Sequence, residues 1–242
     1  VKKYDLVDSP QRHHYKSSSF SSGIGVLFKN YWNTEYKYFL KETNFYPEEL
    51  SSETKDVYAG IILSGQLDLL DDVLLPTNGL FLSGQYENSS VEWGAKNNYH
   101  IYKGYGDIYF TQKKNTYRIM GYYHQMLNNY PEYITMIPFG SQTFAGIKEF
   151  QLWGNTLAFS RLEYRYKHKK DIFFHLINNW LISAKADETN SVSNIWGFGF
   201  GITLLSPFGP MEFIWSQGPQ NIYSEDDKGW QHIFHFSAGY KF

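Results

Sequence analysis

The last part of the chain, residues 195–242, alternates large apolar residues with small or polar ones. Between residues 196 and 204, every second position is large and apolar, and the positions between are glycine or threonine: Trp196, Phe198, Phe200, Ile202 and Leu204 against Gly197, Gly199, Gly201 and Thr203. Successive side chains of a β-strand point to opposite faces, so this stretch has one broad apolar face and one nearly bare face. It predicts an all-β protein whose strands have two unlike faces.

The final stretch repeats the pattern with more polar partners. One face carries Phe234, Phe236, Ala238, Tyr240 and Phe242, and the other carries His235, Ser237, Gly239 and Lys241. Aromatic residues over a small or polar face are typical of a strand with lipid outside and a polar lumen inside. The alternative is a soluble β-sandwich or barrel in which the apolar face forms the core.

Composition favours the membrane interpretation and excludes other classes. Aromatic residues make up 19% of the 242 residues, and tyrosine and tryptophan concentrate at membrane interfaces. Mean hydropathy is −0.46 and no apolar run is long enough for a transmembrane helix, whereas a β-barrel spans a bilayer with only half of each strand apolar. A net charge of −2 predicts no nucleic-acid partner. The chain has no cysteine, which excludes disulfides and thiolate metal sites, and we predict no metal and no cofactor.

The organisation along the chain predicts one membrane domain. The chain begins with Val1 and no signal segment, so we expect that a precursor has been trimmed or that an upstream domain precedes it. Residues 1–16 are predicted to be a linker or a partial first strand, and residues 17–242 an outer-membrane β-barrel domain. About eleven amphipathic strands are recognisable, and closed single-chain bacterial barrels have an even number of strands. We therefore predict a transmembrane antiparallel up-and-down β-barrel of about twelve strands.

Three local features complete this prediction. Residues 126–153 form a long, irregular, aromatic segment, which we expect to fold inward as a loop. A tight turn is predicted between two amphipathic strands, because proline presets φ and Asn-Gly accepts positive φ: Asp71, Asp72, Pro76, Thr77, Asn78 and Gly79. Arg161, Glu163 and Arg165 alternate with Leu162 and Tyr164, so the charged row is predicted to face the lumen, either holding the loop or forming a wet wall.

These motifs, in this order, resemble a known family. The turn at residues 71–79, the segments 120–129, 137–140 and 161–166, and the closing segment 201–213 are similar to the outer-membrane barrel superfamily that includes the BamA and TamA insertases. The resemblance covers residues 57–242 and is greatest for the branch fused to patatin-like phospholipases in Bacteroidetes-type bacteria. It implies a location in the outer membrane of a Gram-negative bacterium and a periplasmic position for the turn.

The chain departs from the family pattern in two places. Family members carry a Val/Ile-Arg-Gly-Phe/Tyr loop tip that anchors to the barrel wall, but here Met120 precedes Gly121 and Tyr122, and Arg118 lies two residues too early. The loop-anchor candidates are therefore Met120, Gly121 and Tyr122 together with the charged row. Family barrels also usually have sixteen strands, more than this chain provides.

No catalytic residue is predicted. The Gly-x-Ser-x-Gly motif of a patatin domain is absent, so lipid hydrolysis would require an upstream domain. His235, Ser237 and Gly239 have the His-x-Ser-x-Gly form of outer-membrane phospholipase A, but they share the predicted lumen face, away from lipid. We interpret them as polar lumen residues.

The sequence leaves several functions open. The resemblance implies a barrel that anchors a patatin-like lipid hydrolase in the outer membrane or translocates it. The alternatives are an insertase or translocase for outer-membrane proteins, a passive pore and a soluble lipocalin-like binder. The implied partners are outer-membrane lipid, the patatin domain, a second copy of the chain, and the barrel-assembly machinery. That machinery recognises a terminal aromatic strand by strand addition, here Phe234, Phe236, Tyr240 and Phe242.

Overall fold

A computed structural model describes residues 14–46, 54–128, 144–148, 155–185, 191–192, 194–220 and 229–239. These residues form β-strands connected mostly by short turns. The strands are β1 (His14–Phe28), β2 (Trp32–Tyr46), β3 (Thr54–Asp68), β4 (Gly79–Ser89), β5 (Tyr99–Gln112), β6 (Asn115–Asn128), β7 (Thr156–Lys169), β8 (Ile172–Lys185), β9 (Ser191–Val192), β10 (Ile195–Ser206), β11 (Gly209–Pro219) and β12 (Trp230–Ala238). The helical structure in this part of the chain is one 3-10 turn, Val91–Trp93. No described helix is long and apolar enough to span a membrane.

The strands form one sheet in which chain neighbours pair in order. The order is β1-β2-β3-β4-β5-β6-β7-β8-β10-β11-β12, with the two-residue β9 pairing with β8 off this path. The pairs β1/β2, β6/β7, β7/β8, β8/β10, β10/β11 and β11/β12 are antiparallel. The predicted all-β, antiparallel, up-and-down arrangement is confirmed. Within the described ranges, however, eleven long strands follow this path, and the twelfth strand is the short β9.

The chain divides into two compact units, of which the first comprises residues 1–65, 84–102 and 126–135. Phe39, Tyr58, Tyr99, Ile101 and Met126 form its buried core. β1 begins at His14, three residues before the predicted domain start, and residues 1–13 of the predicted linker lie outside the described ranges. Ala59 of β3 is fully buried beside the connection after β4, where the backbone N–H of Ser90 donates to its carbonyl oxygen.

The second unit comprises residues 66–83, 103–125 and 136–242. In β7, β8, β10 and β12 the side chains separate into two faces, called here the aromatic face and the polar face. The aromatic face is exposed and carries Leu162, Leu176, Trp180, Trp196, Phe198, Phe200, Phe234 and Phe236. The polar face is buried and carries Arg161, Glu163, Arg165, His175, Asn179 and Thr203 on β7, β8 and β10. Phe234 is 81% exposed and Glu163 only 5%, which is the reverse of a soluble β-sandwich.

The β3–β4 turn is organised by one carboxylate. Asp71 accepts hydrogen bonds from the backbone N–H groups of Thr77 (2.8 Å) and Asn78 (3.0 Å) and from the Thr77 hydroxyl. Gly79 has a φ of 118°, and a Cβ there would collide with the carbonyl oxygen of Leu69. The predicted turn chemistry therefore exists in this segment, while its position on the periplasmic side stays a prediction.

We expect the Asp71 carboxylate to stabilise the fold in a pH-dependent way. Burial by itself would raise its pKa, but the hydrogen bonds from Asn78 and Thr77 outweigh burial and lower the pKa from 3.8 to about 2. A lowered pKa gives stability that is complete above the unfolded-state value and is lost as pH falls through the folded-state value. Asp71→Asn should therefore lower the free energy of unfolding by about 1 kcal/mol at pH 7, the group being exposed, and by little near pH 2.

Urea unfolding of the detergent-folded chain at both pH values measures this effect. Asp171→Asn is the matched control, because that exposed carboxylate in the β7–β8 turn accepts no side-chain hydrogen bond from a described residue. Equal losses for both variants at pH 7 would contradict the assignment.

Candidate functional site

The polar face of the second unit carries a row of charged side chains that crosses the strands. The β6–β7 register places Arg118 opposite Glu163, and the β7–β8 register places Arg165 opposite His175. Because all four residues lie on the same face, each side chain reaches a neighbour on the next strand. Asp107 on β5 and Thr203 on β10 extend the row at its two ends.

Glu163 is the centre of this row. Its Oε2 atom accepts a hydrogen bond from Nη2 of Arg161 at 2.8 Å and from Nη1 of Arg118 at 3.2 Å. Its Oε1 atom lies 2.8 Å from Nδ1 of His175 and 3.9 Å from a guanidinium nitrogen of Arg165. The Glu163 carboxylate is thus buried among cationic donors, an arrangement that offsets the cost of taking it out of water.

The network continues on both sides of Glu163. Arg118 donates two hydrogen bonds to the Asp107 carboxylate, at 2.8 Å from Nε and 2.7 Å from Nη2. The hydroxyl of Tyr105 also donates to Asp107, at 2.8 Å. On the other side, Nε2 of His175 lies 2.8 Å from the Thr203 hydroxyl oxygen. A continuous chain of side-chain hydrogen bonds therefore connects β5, β6, β7, β8 and β10.

A cavity of about 590 Å³ adjoins this row. Residues of the β3–β4 turn line it from one side, and Nη1 of Arg165 donates to the carbonyl oxygen of Pro76 at 3.0 Å. Its charged lining consists of three arginines, Arg118, Arg161 and Arg165, and three carboxylates, Asp107, Glu163 and Glu212. The formal charges cancel, so this cavity has no excess of either sign with which to select an ion.

Glu163, His175 and Thr203 are joined in the order carboxylate, imidazole, hydroxyl, as in a hydrolase triad. Two observations favour a structural role. The carboxylate is already held by arginines, and Thr203 lies within the ladder between β8 and β11, where its backbone N–H is used by the sheet and does not stabilise an oxyanion. We therefore interpret Glu163, His175 and Thr203 as residues that stabilise the polar face of the sheet.

A second feature of the polar face is a groove lined by glycines, in which residues 144–148 lie. A Cβ at Gly197 would collide with the Ala145 carbonyl oxygen, and a Cβ at Gly218 would collide with that of Gly146. The amides of Asn179 and Gln231 donate to the same two carbonyl groups, at 3.4 Å and 3.1 Å respectively. The bare faces of β10 and β11 thus make room for the backbone of a distant segment.

Apolar packing also holds this segment. Phe144 and Ile147 are fully buried with Met120, Phe159 and Leu181, and the Phe144 ring meets the Phe159 ring edge-on at 5.6 Å. Ala145 packs against Ile177 and Ile214, so the apolar Ile177 between His175 and Asn179 has apolar neighbours. Residues 129–143 and 149–154 of the predicted loop, including the motif at 137–140, lie outside the described residues.

The structure brings together some of the predicted site residues. Arg161, Glu163 and Arg165 form one ionic row, and among the loop-anchor candidates Met120 and Tyr122 pack in or against the cluster that holds Phe144. Gly121 lies on the exposed face, away from this cluster, and its part in a loop anchor stays a prediction. The sequence interpretation missed Asp107, Arg118, His175, Asn179, Thr203, Gly218 and Gln231; the alternation signal identifies the face of a residue but not its partner.

The C-terminal strand separates as predicted over its described part. Phe234 and Phe236 are exposed on the aromatic face, while His235 and Ser237 are half-buried on the other. Tyr240 and Phe242 lie outside the described residues. Recognition of this strand by an assembly machinery stays a prediction.

We expect Glu163→Gln to destabilise the fold strongly. The substitution leaves Arg161 buried without its counter-charge, which typically costs about 3–5 kcal/mol, whereas Arg118 keeps its ion pair with Asp107. Glu212→Gln is the matched control, because Glu212 lines the same cavity and forms no ion pair with a described residue. Urea unfolding in detergent measures the free energy of unfolding of the two variants. Equal stability would show that the charged row does not stabilise the sheet.

We expect Gly218→Ala to dislodge residues 144–148 or to destabilise the sheet by roughly 1–3 kcal/mol, because the added Cβ overpacks the groove against the Gly146 backbone. Gly121→Ala is the control, since a Cβ there meets nothing within 4 Å. Limited proteolysis near residue 146, combined with thermal unfolding, reports both effects. Unchanged cleavage and stability in Gly218→Ala would contradict the groove assignment.

No protein-family model matches the chain, and no curated protein matches it. Among solved structures, the crystal structure of BamA from Haemophilus ducreyi lacking POTRA domains 1-3 matches with a TM-score of 0.78 and 12% sequence identity. The match covers 94% of this chain and 55% of that chain, so this chain spans about half the length of the BamA structure. The likeness extends over nearly the whole chain, and we conclude that this sheet has the fold of the matched part of BamA.

Proposed function

We propose that the chain is a β-barrel domain of the bacterial outer membrane. The observation that carries the proposal is the inverted burial of the second unit, with rings exposed on one face and arginines and carboxylates buried on the other. In water, an exposed aromatic surface of this kind is unfavourable, whereas in a bilayer the same surface contacts acyl chains.

The aromatic face is continuous across several strands. Trp180 stacks on Trp196 with ring centroids 5.5 Å apart, and Phe213 lies against Phe236 at 4.7 Å. Phe198 on β10 also contacts Trp215 on β11 and Trp230 on β12. Contiguous apolar surface of this extent marks a membrane or protein interface in proteins generally, and its aromatic composition favours the membrane.

We further propose that the sheet closes into a barrel and that residues 126–153 fold into its lumen. The position of residues 144–148 in the glycine groove of the polar face supports this arrangement. In this proposal the groove and the apolar cluster around Met120 anchor the loop, in place of the arginine tip of the resembled family.

For the task of the barrel, we propose that it anchors or translocates an attached patatin-like lipid-hydrolase domain. The support is the order of sequence motifs shared with that branch of the superfamily. The partners are then outer-membrane lipid, the attached domain, barrel-assembly machinery and, where the barrel self-associates, a second copy.

The second candidate is an insertase or translocase for outer-membrane proteins, which the structural likeness to BamA favours. A passive pore is a weaker candidate, because residues 144–148 and the ionic row occupy the polar face of the second unit. In an open channel, that face would line a water-filled passage.

Three measurements on the chain and its parent protein distinguish these tasks. An insertase embedded in vesicles accelerates the folding of an unfolded outer-membrane barrel added from outside, relative to empty vesicles. A pore gives steady conductance in planar bilayers. An anchor gives neither, and deletion of residues 17–242 from the parent protein releases its lipid hydrolase from the outer-membrane fraction.

Two substitutions on β12 test the membrane assignment itself. Phe234→Lys puts a charge on the aromatic face and should cost up to about 2–4 kcal/mol, depending on depth in the bilayer, whereas Ser237→Lys lies on the polar face opposite Glu212 and should be tolerated. Folding into phosphatidylcholine vesicles, followed by urea unfolding, measures both. If the chain were soluble, Phe234→Lys would be neutral within about 0.5 kcal/mol and the wild-type chain would stay in the aqueous phase.

A further inference from the structure

We propose that two neighbouring turns of the second unit form a binding surface for anionic phospholipid headgroups. The surface, called here the lysine patch, consists of Lys113, Lys114, Lys167, Lys169 and Lys170. The inference rests on the proposed function, because it requires the sheet to span a bilayer and these turns to lie at its surface.

The register brings the two turns together. The β5–β6 turn contains Lys113 and Lys114. Lys167 and Lys169 lie at the end of β7, and Lys170 follows in the β7–β8 turn. The backbone N–H of Lys167 donates to the carbonyl oxygen of Lys114 at 2.8 Å, directly beyond the paired residues Asn115 and Tyr166. Five lysines that are separated in the sequence thus share one end of the sheet, and all five are exposed.

The positive charge of the patch is not neutralised by nearby carboxylates. None of the five ammonium groups forms an ion pair with a carboxylate of the described part of the chain. Asp171 follows Lys170 directly, and the neighbouring β3–β4 turn contributes Asp71 and Asp72. Both of the latter carboxylates accept backbone N–H groups of their own turn. The positive charges still exceed the negative ones, so this end of the sheet attracts anions.

The patch lies where the aromatic face ends. Tyr117 on β6 packs against Tyr164 on β7 with ring centroids 5.5 Å apart, and the Tyr164 hydroxyl donates to the Asn115 side chain at 2.8 Å. Further from the turn on the same face follow Ile119 and Leu162, both exposed. The order of apolar side chains, tyrosine rings and then ammonium groups matches the order of acyl chains, interface and headgroup phosphates in a bilayer.

The distribution of charge favours a lipid surface over a single phosphate ion. A site for one bound phosphate needs donors that converge on it, whereas these lysines are exposed and spread over two turns and the end of β7. Basic clusters next to a membrane-spanning element typically attract anionic lipids through the summed field of several charges. We therefore expect lipids with an anionic headgroup to bind more tightly than lipids whose headgroup has no net charge. This binding should weaken as the salt concentration rises.

The test measures lipid binding to the whole chain folded in an uncharged detergent. The probes are short-chain phosphatidylglycerol, short-chain phosphatidylcholine and glycerol phosphate, titrated at 50 mM and 300 mM salt. The test variant is Lys113→Gln/Lys114→Gln/Lys170→Gln. The control with the same net charge is Lys55→Gln/Lys96→Gln/Lys148→Gln, which removes three exposed lysines elsewhere.

We expect phosphatidylglycerol to bind the wild-type chain at least tenfold more tightly than phosphatidylcholine at 50 mM salt. The test variant should lose about tenfold or more of that affinity, and the control variant less than threefold. Equal binding of both lipids, or equal losses in the two variants, would overturn the proposal. Binding of glycerol phosphate as tight as that of phosphatidylglycerol would assign the patch to soluble phosphates instead.

Folding into phosphatidylcholine vesicles is measured in parallel for all three chains. Failure of the wild-type chain to enter vesicles would refute the membrane assignment. Normal insertion without headgroup preference would refute only the lysine patch.

Discussion

The polar face of the second unit depends on Glu163. Its carboxylate joins guanidinium groups from β6 and β7 and an imidazole from β8, all buried on one face. These ion pairs offset part of the cost of burying the charges, while the opposite face carries exposed apolar side chains. The buried charges and the exposed rings are therefore two sides of one arrangement, and the proposed membrane placement follows from their separation.

The face of each residue could be predicted from the sequence, but the partners could not. A period of two is enough to place Phe198, Phe200, Phe234 and Phe236 on one side and Glu163 on the other. The pairing of Arg118 with Glu163 depends on the β6–β7 register, and the alternation within either strand does not determine that register. Arg118 lies two residues before the arginine position of the family motif, and yet it is a central member of the row.

The glycines of β10 show another limit of a strand-by-strand interpretation. Alternation correctly indicated a bare face, but its cause is a segment distant in the sequence whose backbone occupies the space that side chains would fill. Ala59 is a second case, because this small residue of β3 is buried next to a connection that follows β4. In both places the decisive contact comes from outside the strand, so local periodicity contains no information about it.

Gly146 can occupy its groove only after later parts of the chain have been synthesised. Its groove is built from β10 and β11, and the amide that accompanies it comes from Gln231 on β12, all of which leave the ribosome after residue 146. Residues 144–148 therefore lack their complete groove until β10, β11 and β12 have been synthesised. A chain that ends before β10 would leave the carbonyl oxygen of Gly146 without the Gln231 amide, whereas Phe144 and Ile147 would still have Met120, Phe159 and Leu181 as packing partners.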